Sequence, residues 1–136
     1  MPFVLDASIT VCWLFDDEEH PHAAAALTRI RTDEALVPSL WWFEVRNTLL
    51  VNERRGRVTE GDTATFLSAL ARLAITVDRT LHEDALTLGR RHRLTVYDAA
   101  YLELARRENL PLATLDQQLA NAARTEGVAL IGKNAG

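Results

Sequence analysis

Cysteine is almost absent: Cys12 is the only one in 136 residues, which excludes an internal disulfide and any multi-cysteine zinc or iron–sulfur centre. It reads as a small buried hydrophobe. Lysine is equally scarce, with Lys133 alone among fifteen basic residues. That arginine bias suits planar pairing with phosphate or carboxylate, although genomic base composition explains it more simply. The formal net charge of −4 argues against a nucleic-acid binder that works through bulk positive charge, and leaves room for a local basic patch. No apolar run nears the roughly 18 residues of a membrane span. The opening Met1-Pro2-Phe3-Val4-Leu5-Asp6 has neither a basic flank nor a signal-like core, so a cytoplasmic protein is expected.

What is present is ordinary for a globular chain, with 48% hydrophobic and 25% charged residues. Disorder, collagen-like repeats and low-complexity fibres are therefore excluded, and residues 1–136 read as a single domain. Short apolar runs alternate with stretches of helical periodicity, the rhythm of an α/β fold. Phe3-Val4-Leu5, Leu36-Val37, Ile75-Thr76-Val77, Leu112-Ala113-Thr114 and Val128 to Ile131 predict five strands buried on both faces. Helices are predicted near Ile9–Phe15, His22–Arg31, Leu40–Arg54, Thr63–Leu73, Leu81–Arg90, Asp98–Arg107 and Gln117–Arg124. Pro38-Ser39, Thr59-Glu60-Gly61-Asp62 and Thr95-Val96-Tyr97-Asp98 mark helix starts, the last two as Ser/Thr-x-x-acid caps. Gly56, and Asn109 before Pro111, mark stops.

The informative residues are acids in awkward places. Asp6 closes the first strand run, and the carboxyl ends of parallel strands line the crevice where such sheets bind ligands. Taken alone it is equally a cap for the next helix, with Ser8 assisting. Asp116 follows the fourth strand run and emerges at the same edge, and Asp98 opens the helix before that strand, where a capping box with Thr95 would also explain it. Local capping accounts for each acid and not for their gathering at one edge.

Glu44 is the sharper anomaly. With Leu40 at 0° and about 100° per residue, it falls near 40°, between Leu40, Val51 and Trp41, with Asn47 beside it. A carboxylate aimed into apolar surroundings needs a cation, a donor such as Asn47, or a metal; an arginine salt bridge is the plain alternative. Four carboxylates without a soft ligand form a hard-oxygen set suited to Mg²⁺ or Mn²⁺ and unsuited to zinc. Such sets activate water against phosphodiesters, in two-metal sites with ions about 3.5–4 Å apart.

The order and spacing of Asp6-Ala7-Ser8, Glu44 with Asn47 three residues on, Arg55-Gly56-Arg57-Val58-Thr59, Tyr97-Asp98-Ala99-Ala100-Tyr101 and Thr114-Leu115-Asp116 resemble the PIN-domain ribonucleases, most closely the VapC-type toxins of toxin–antitoxin pairs. The resemblance runs from Val4 to Ile131. It implies a three-layer α/β/α fold with a central, mainly parallel sheet, and a site in which Asp6, Glu44, Asp98 and Asp116 bind Mg²⁺ or Mn²⁺. It further implies an RNA substrate, an antitoxin laid along the groove beside the site, and hydrogen-bond support of the carboxylates by Ser8 and Thr114. A homodimer is expected on separate grounds as well: Leu40, Trp41, Trp42, Phe43, Val45, Leu49, Leu50 and Val51 spread around nearly the whole wheel of their helix, more than one face of a small monomer readily buries.

Other features carry less. Asp16-Asp17-Glu18-Glu19 reads as a solvated loop and His20-Pro21-His22 as surface histidines. Arg54-Arg55-Gly56-Arg57 and Arg90-Arg91-His92-Arg93 could grip phosphates, though arginines at helix ends also complement the dipole. A phosphoacceptor receiver domain would need paired acids after the first strand, which Asp6 lacks, with Asp78 and Lys133 only loosely filling its other positions. A haloacid-type phosphatase would need a second aspartate two residues beyond Asp6, where Ser8 stands. A PIN scaffold that binds RNA or protein without cutting is the remaining alternative.

Overall fold

The computed structural model describes residues 1–15 and 20–132, so the acidic run Asp16-Asp17-Glu18-Glu19 and Lys133 lie outside it. The elements are β1 (Phe3–Leu5), α1 (Ala7–Cys12), α2 (Pro21–Arg29), β2 (Ala35–Pro38), α3 (Leu40–Arg54), α4 (Glu60–Leu70), β3 (Ile75–Asp78), α5 (Ala85–His92), α6 (Val96–Glu108), β4 (Leu112–Ala113) and α7 (Gln117–Thr125). The strands form one parallel sheet in the order β3-β2-β1-β4, with Val4 level with Leu36 on one side and Leu112 on the other.

Connectivity dictates the layers. The chain steps from β1 to β2 to β3 in one direction, then returns across the sheet to β4. Parallel crossovers are right-handed in nearly all sheets, so this reversal sends α1–α4 to one face and α5–α7 to the other. The helix contacts agree: α1 meets α2 and α3, while α6 meets α5 and α7. β1 is fully buried, as a strand covered by helices on both sides must be.

Four strands stand where five were expected. The segment Val128 to Ile131 reaches β4 through a single parallel bridge, Leu112 to Leu130, carried by Leu112 N–H on Ala129 O at 2.9 Å and Ile131 N–H on Leu112 O at 3.0 Å. β4 has two residues, and the chain turns away on both sides at Gly127 (φ +76°) and Gly132 (φ +85°), so no longer ladder can form. A Cβ on Gly132 would come within 2.9 Å of the His22 backbone, so this turn rests closely on the start of α2.

Local signals set the helix ends. Thr59 and Asp62 close a reciprocal capping box on α4, Thr95 accepts from Asp98 N–H to start α6, and Asn109 ends α6 in the left-handed conformation. α5 begins at Ala85, four residues after the expected Leu81, because His82 is drawn aside onto Glu103. On α3, Trp41, Val45 and Leu49 enter the core while Trp42 (45%), Phe43 (68%) and Leu50 (41%) remain exposed, so about half of the apolar wheel is unburied. Among the described residues no helix is long and apolar enough to cross a membrane.

Candidate active site

The return from β3 to β4 places neighbouring strands β1 and β4 at the point where the chain's direction reverses. Connections leave β1 and β4 toward opposite faces, and a crevice opens at their carboxyl ends. Asp6 follows β1 there, and Thr114, Leu115 and Asp116 follow β4.

Asp6 occupies the N-cap position of α1 with extended backbone, yet its side chain makes no capping hydrogen bond. The simple capping role is thereby set aside. Its Oδ2 instead accepts from Ser8 Oγ at 2.8 Å and from Thr114 Oγ1 at 2.7 Å. Both hydroxyls are themselves held: Ser8 Oγ accepts from Leu115 N–H at 3.1 Å, and Thr114 Oγ1 from Asp116 N–H at 3.0 Å. Asp6, 6% exposed, is thus clamped by the loop after β4. Burial pushes its carboxyl pKa up, overriding the lowering by its donors, and the nearby charge of Asp98 adds to the rise.

Glu44 reaches the same crevice from α3. Its partner is neither Asn47 nor an arginine: the Tyr101 hydroxyl on α6 donates to Glu44 Oε1 at 2.6 Å. Asn47 is exposed on α3 and makes no hydrogen bond to Glu44. Desolvation raises the Glu44 pKa, and Asp6 and Asp98 raise it further against the lowering by Tyr101. Tyr101 is absent from the site residues that the sequence points to, although a phenol set among Ala99, Ala100 and Leu102 signals a buried hydroxyl in need of a partner.

Asp98 lies in the first turn of α6, its pKa raised by desolvation and then by Asp116. Asp116 does cap its helix, accepting from Leu119 N–H through Oδ1 at 3.0 Å. Electrostatic repulsion links the four predicted acids pairwise, Asp6 with Asp98, Glu44 with both, and Asp98 with Asp116. None of the four makes an ion pair among the described residues.

The donor chemistry fits a divalent cation. Every candidate ligand is a hard oxygen, no ion pair among the described residues neutralises the four acids, and Glu44 Oε2 makes no hydrogen bond to the described residues. As the side chains stand, no three carboxylate, histidine or cysteine groups among the described residues sit close enough to share one ion. A bound ion would have to draw the carboxylates together.

Other predicted features fall away from this centre. Asp78 pairs with Arg107 at 2.8 Å, which leaves no free acceptor after β3 of the kind a receiver domain requires. Arg91 and His92 are committed to Glu126, at 2.8 and 2.6 Å, where they tie α5 to the end of α7. His20 caps α2 through Nδ1, and with His22 it lines a small cleft shared with Thr114, Asp116 and Gln117, nearer the site than a surface pair was expected to be.

A parallel sheet of this order with acids following β1 and β4 at its switch point defines an α/β class, and comparison with known proteins narrows it. The PIN domain description matches residues 3–125, and the chain belongs to that family. Within it, the chain is 33% identical to Ribonuclease VapC3 of Pyrobaculum aerophilum over 124 residues, which is 88% of this chain and 93% of that one. The fold is also that of the crystal structure of PAE2754 from Pyrobaculum aerophilum, with a TM-score of 0.69 at 22% identity over 90% of this chain and 87% of that one.

Proposed function

We propose that this PIN-domain protein is a metal-dependent endoribonuclease, the toxin of a toxin–antitoxin pair. The observation that carries the reading is Asp6: a buried carboxylate clamped by two hydroxyls at the sheet's switch point, in the electrostatic field of Glu44 and Asp98. A relative named as a VapC ribonuclease supports the substrate and the pairing.

Asp6, Glu44, Asp98 and Asp116 would hold the ion or ions. Bound there, Mg²⁺ or Mn²⁺ acidifies water and offsets charge developing at the phosphodiester. The chain's own work is orientation: Ser8 and Thr114 fix the rotamer of Asp6, and Tyr101 fixes Glu44. Asp116 keeps Oδ1 on its helix, so Oδ2 is the oxygen it would offer. Asn47, exposed one turn along α3 from Glu44, is available to touch RNA at the rim.

In the same reading the protein works in the cytoplasm as a homodimer. A second copy would cover the exposed Trp42, Phe43 and Leu50, and the antitoxin would lie along the groove beside the acids. A basic side chain from that partner would meet four carboxylates that make no ion pair among the described residues, and would inhibit by occupying the cation's place. The separation of the carboxylates favours one second reading, a PIN scaffold that binds RNA or protein without cutting.

The test is cleavage of a mixed RNA pool with Mg²⁺ or Mn²⁺. Wild-type protein should cut, chelation should stop it, and Asp6→Ala or Asp98→Asn should remove nearly all turnover, because a shared ion loses position and charge balance when one ligand goes. Undiminished cutting by both variants would expose a contaminant and defeat the assignment.

A further inference from the structure

Tyr101 is completely buried, in a helix whose neighbouring positions are alanine and leucine. A phenol in such a place needs both its donor and its acceptor satisfied. Its proton goes to Glu44 Oε1 at 2.6 Å, a short, charge-assisted bond between side chains 57 residues apart, and the backbone amide of Ala7 faces its oxygen. One hydroxyl thereby joins the carboxylate on α3, the helix α6 that carries Asp98, and the first residue after Asp6.

We infer that Tyr101 is a positioning residue for the metal centre: its hydroxyl occupies Glu44 Oε1, so that Glu44 offers a cation Oε2 alone. This rests on the proposed metal-dependent reading. Glu44 is half-buried on the flank of α3, where its own helix supplies no donor, and without Tyr101 the carboxylate would be free to swing toward solvent. Arginine in its place would neutralise the site and compete with the cation; an uncharged donor orients without doing so.

The experiment is a titration of Mn²⁺ into the whole protein without RNA, followed by loss of the free-ion EPR signal. Tyr101→Phe removes the hydroxyl and little else. It should weaken Mn²⁺ binding about 10–100-fold, the usual cost of losing a partner that orients a ligand. At saturating Mn²⁺, turnover should return to near the wild-type value. In a Glu44→Ala background, which offers the phenol no oxygen to hold, the same substitution should have no further effect, because it acts through Glu44.

Unchanged affinity in Tyr101→Phe, or an equal added loss in the Glu44→Ala background, would overturn the inference. Wild-type protein that neither binds Mn²⁺ nor cuts RNA would instead refute the nuclease reading itself. A crystal of wild-type protein soaked in Mn²⁺ gives an answer independent of the variant's folding. Coordination through Oε2, with Oε1 still on the Tyr101 hydroxyl, is expected; bidentate coordination or a displaced tyrosine overturns the assignment.

Discussion

Thr114 Oγ1 lies 2.7 Å from Asp6 Oδ2, although the residues are 108 positions apart. The same hydroxyl accepts from Asp116 N–H, so one methyl-sized group ties the ends of β1 and β4 and orients two of the four acids. Neither strand is longer than three residues, and this bond secures their register where the ladder has ended.

Thr114→Val keeps the shape and removes the hydroxyl. It leaves the Asp116 amide without its acceptor and Asp6 with one hydroxyl donor fewer. At a buried position this should cost about 1–3 kcal/mol, read from urea unfolding, and should lower RNA cleavage as Asp6 loses its fixed rotamer. Thr114→Ser should recover most of both. A valine variant as stable and active as wild type would show that the clamp is idle.

Asp98→Asn should stabilise the metal-free protein while abolishing cleavage. Its carboxylate is repelled by Asp116, and the amide keeps the backbone N–H that Thr95 accepts. Because the group is partly exposed, solvent screening trims the gain to about 0.5 kcal/mol. Thermal melts should show the metal-free variant above wild type, with a smaller rise on adding Mg²⁺. A lower melting point would mean that the Asp98 side chain is needed for the start of α6.

Asp6, Glu44 and Asp98 all have folded pKa values raised above their unfolded ones. The folded state therefore holds protons that the unfolded chain has released. Their contribution to stability is complete below about pH 4, the unfolded range, and is lost as pH rises through the raised folded values. Asp33, Asp78 and Glu126 have lowered values and act oppositely, losing stability as pH falls through their folded pKa. The difference between melts with and without Mn²⁺ isolates the site, since only its carboxylates compete for the ion. That difference should be small near pH 4.5 and larger at pH 7.5. A constant difference across this range would contradict proton–metal competition at these acids.

The exposed aromatic face of α3 should make the protein dimeric at micromolar concentration. Light scattering should give twice the chain mass, and Phe43→Glu, placing charge on a side chain 68% exposed, should shift it toward monomer without unfolding it. Co-expression with the product of the neighbouring reading frame should add mass and suppress cleavage. A strict monomer indifferent to that product would leave a stand-alone nuclease.

Much of this molecule is set by short-range chemistry and was legible residue by residue. Buried parallel strands are continuous apolar runs, so β1 stood out, and β3 carries a similar run although it lies partly exposed at the sheet edge; Thr59 with Asp62 and Asn109 marked helix ends because caps act within a few residues. Glu44 drew notice because it points into apolar surroundings, and Asp6, Asp98 and Asp116, each a plausible cap alone, because they fall near one edge of the sheet. The fifth strand was misread because an apolar run promises burial and not a partner, and the two-residue β4 flanked by glycine turns offered one bridge only. Only the tertiary structure could settle what holds the acids. Asp6 is clamped from β4, and Glu44 is held by a tyrosine on another helix in place of Asn47 on its own. Helical periodicity says which way a side chain points and is silent on what waits there. That partner is supplied by the crossover that brings α6 back across the sheet to β4, a connection no local pattern contains.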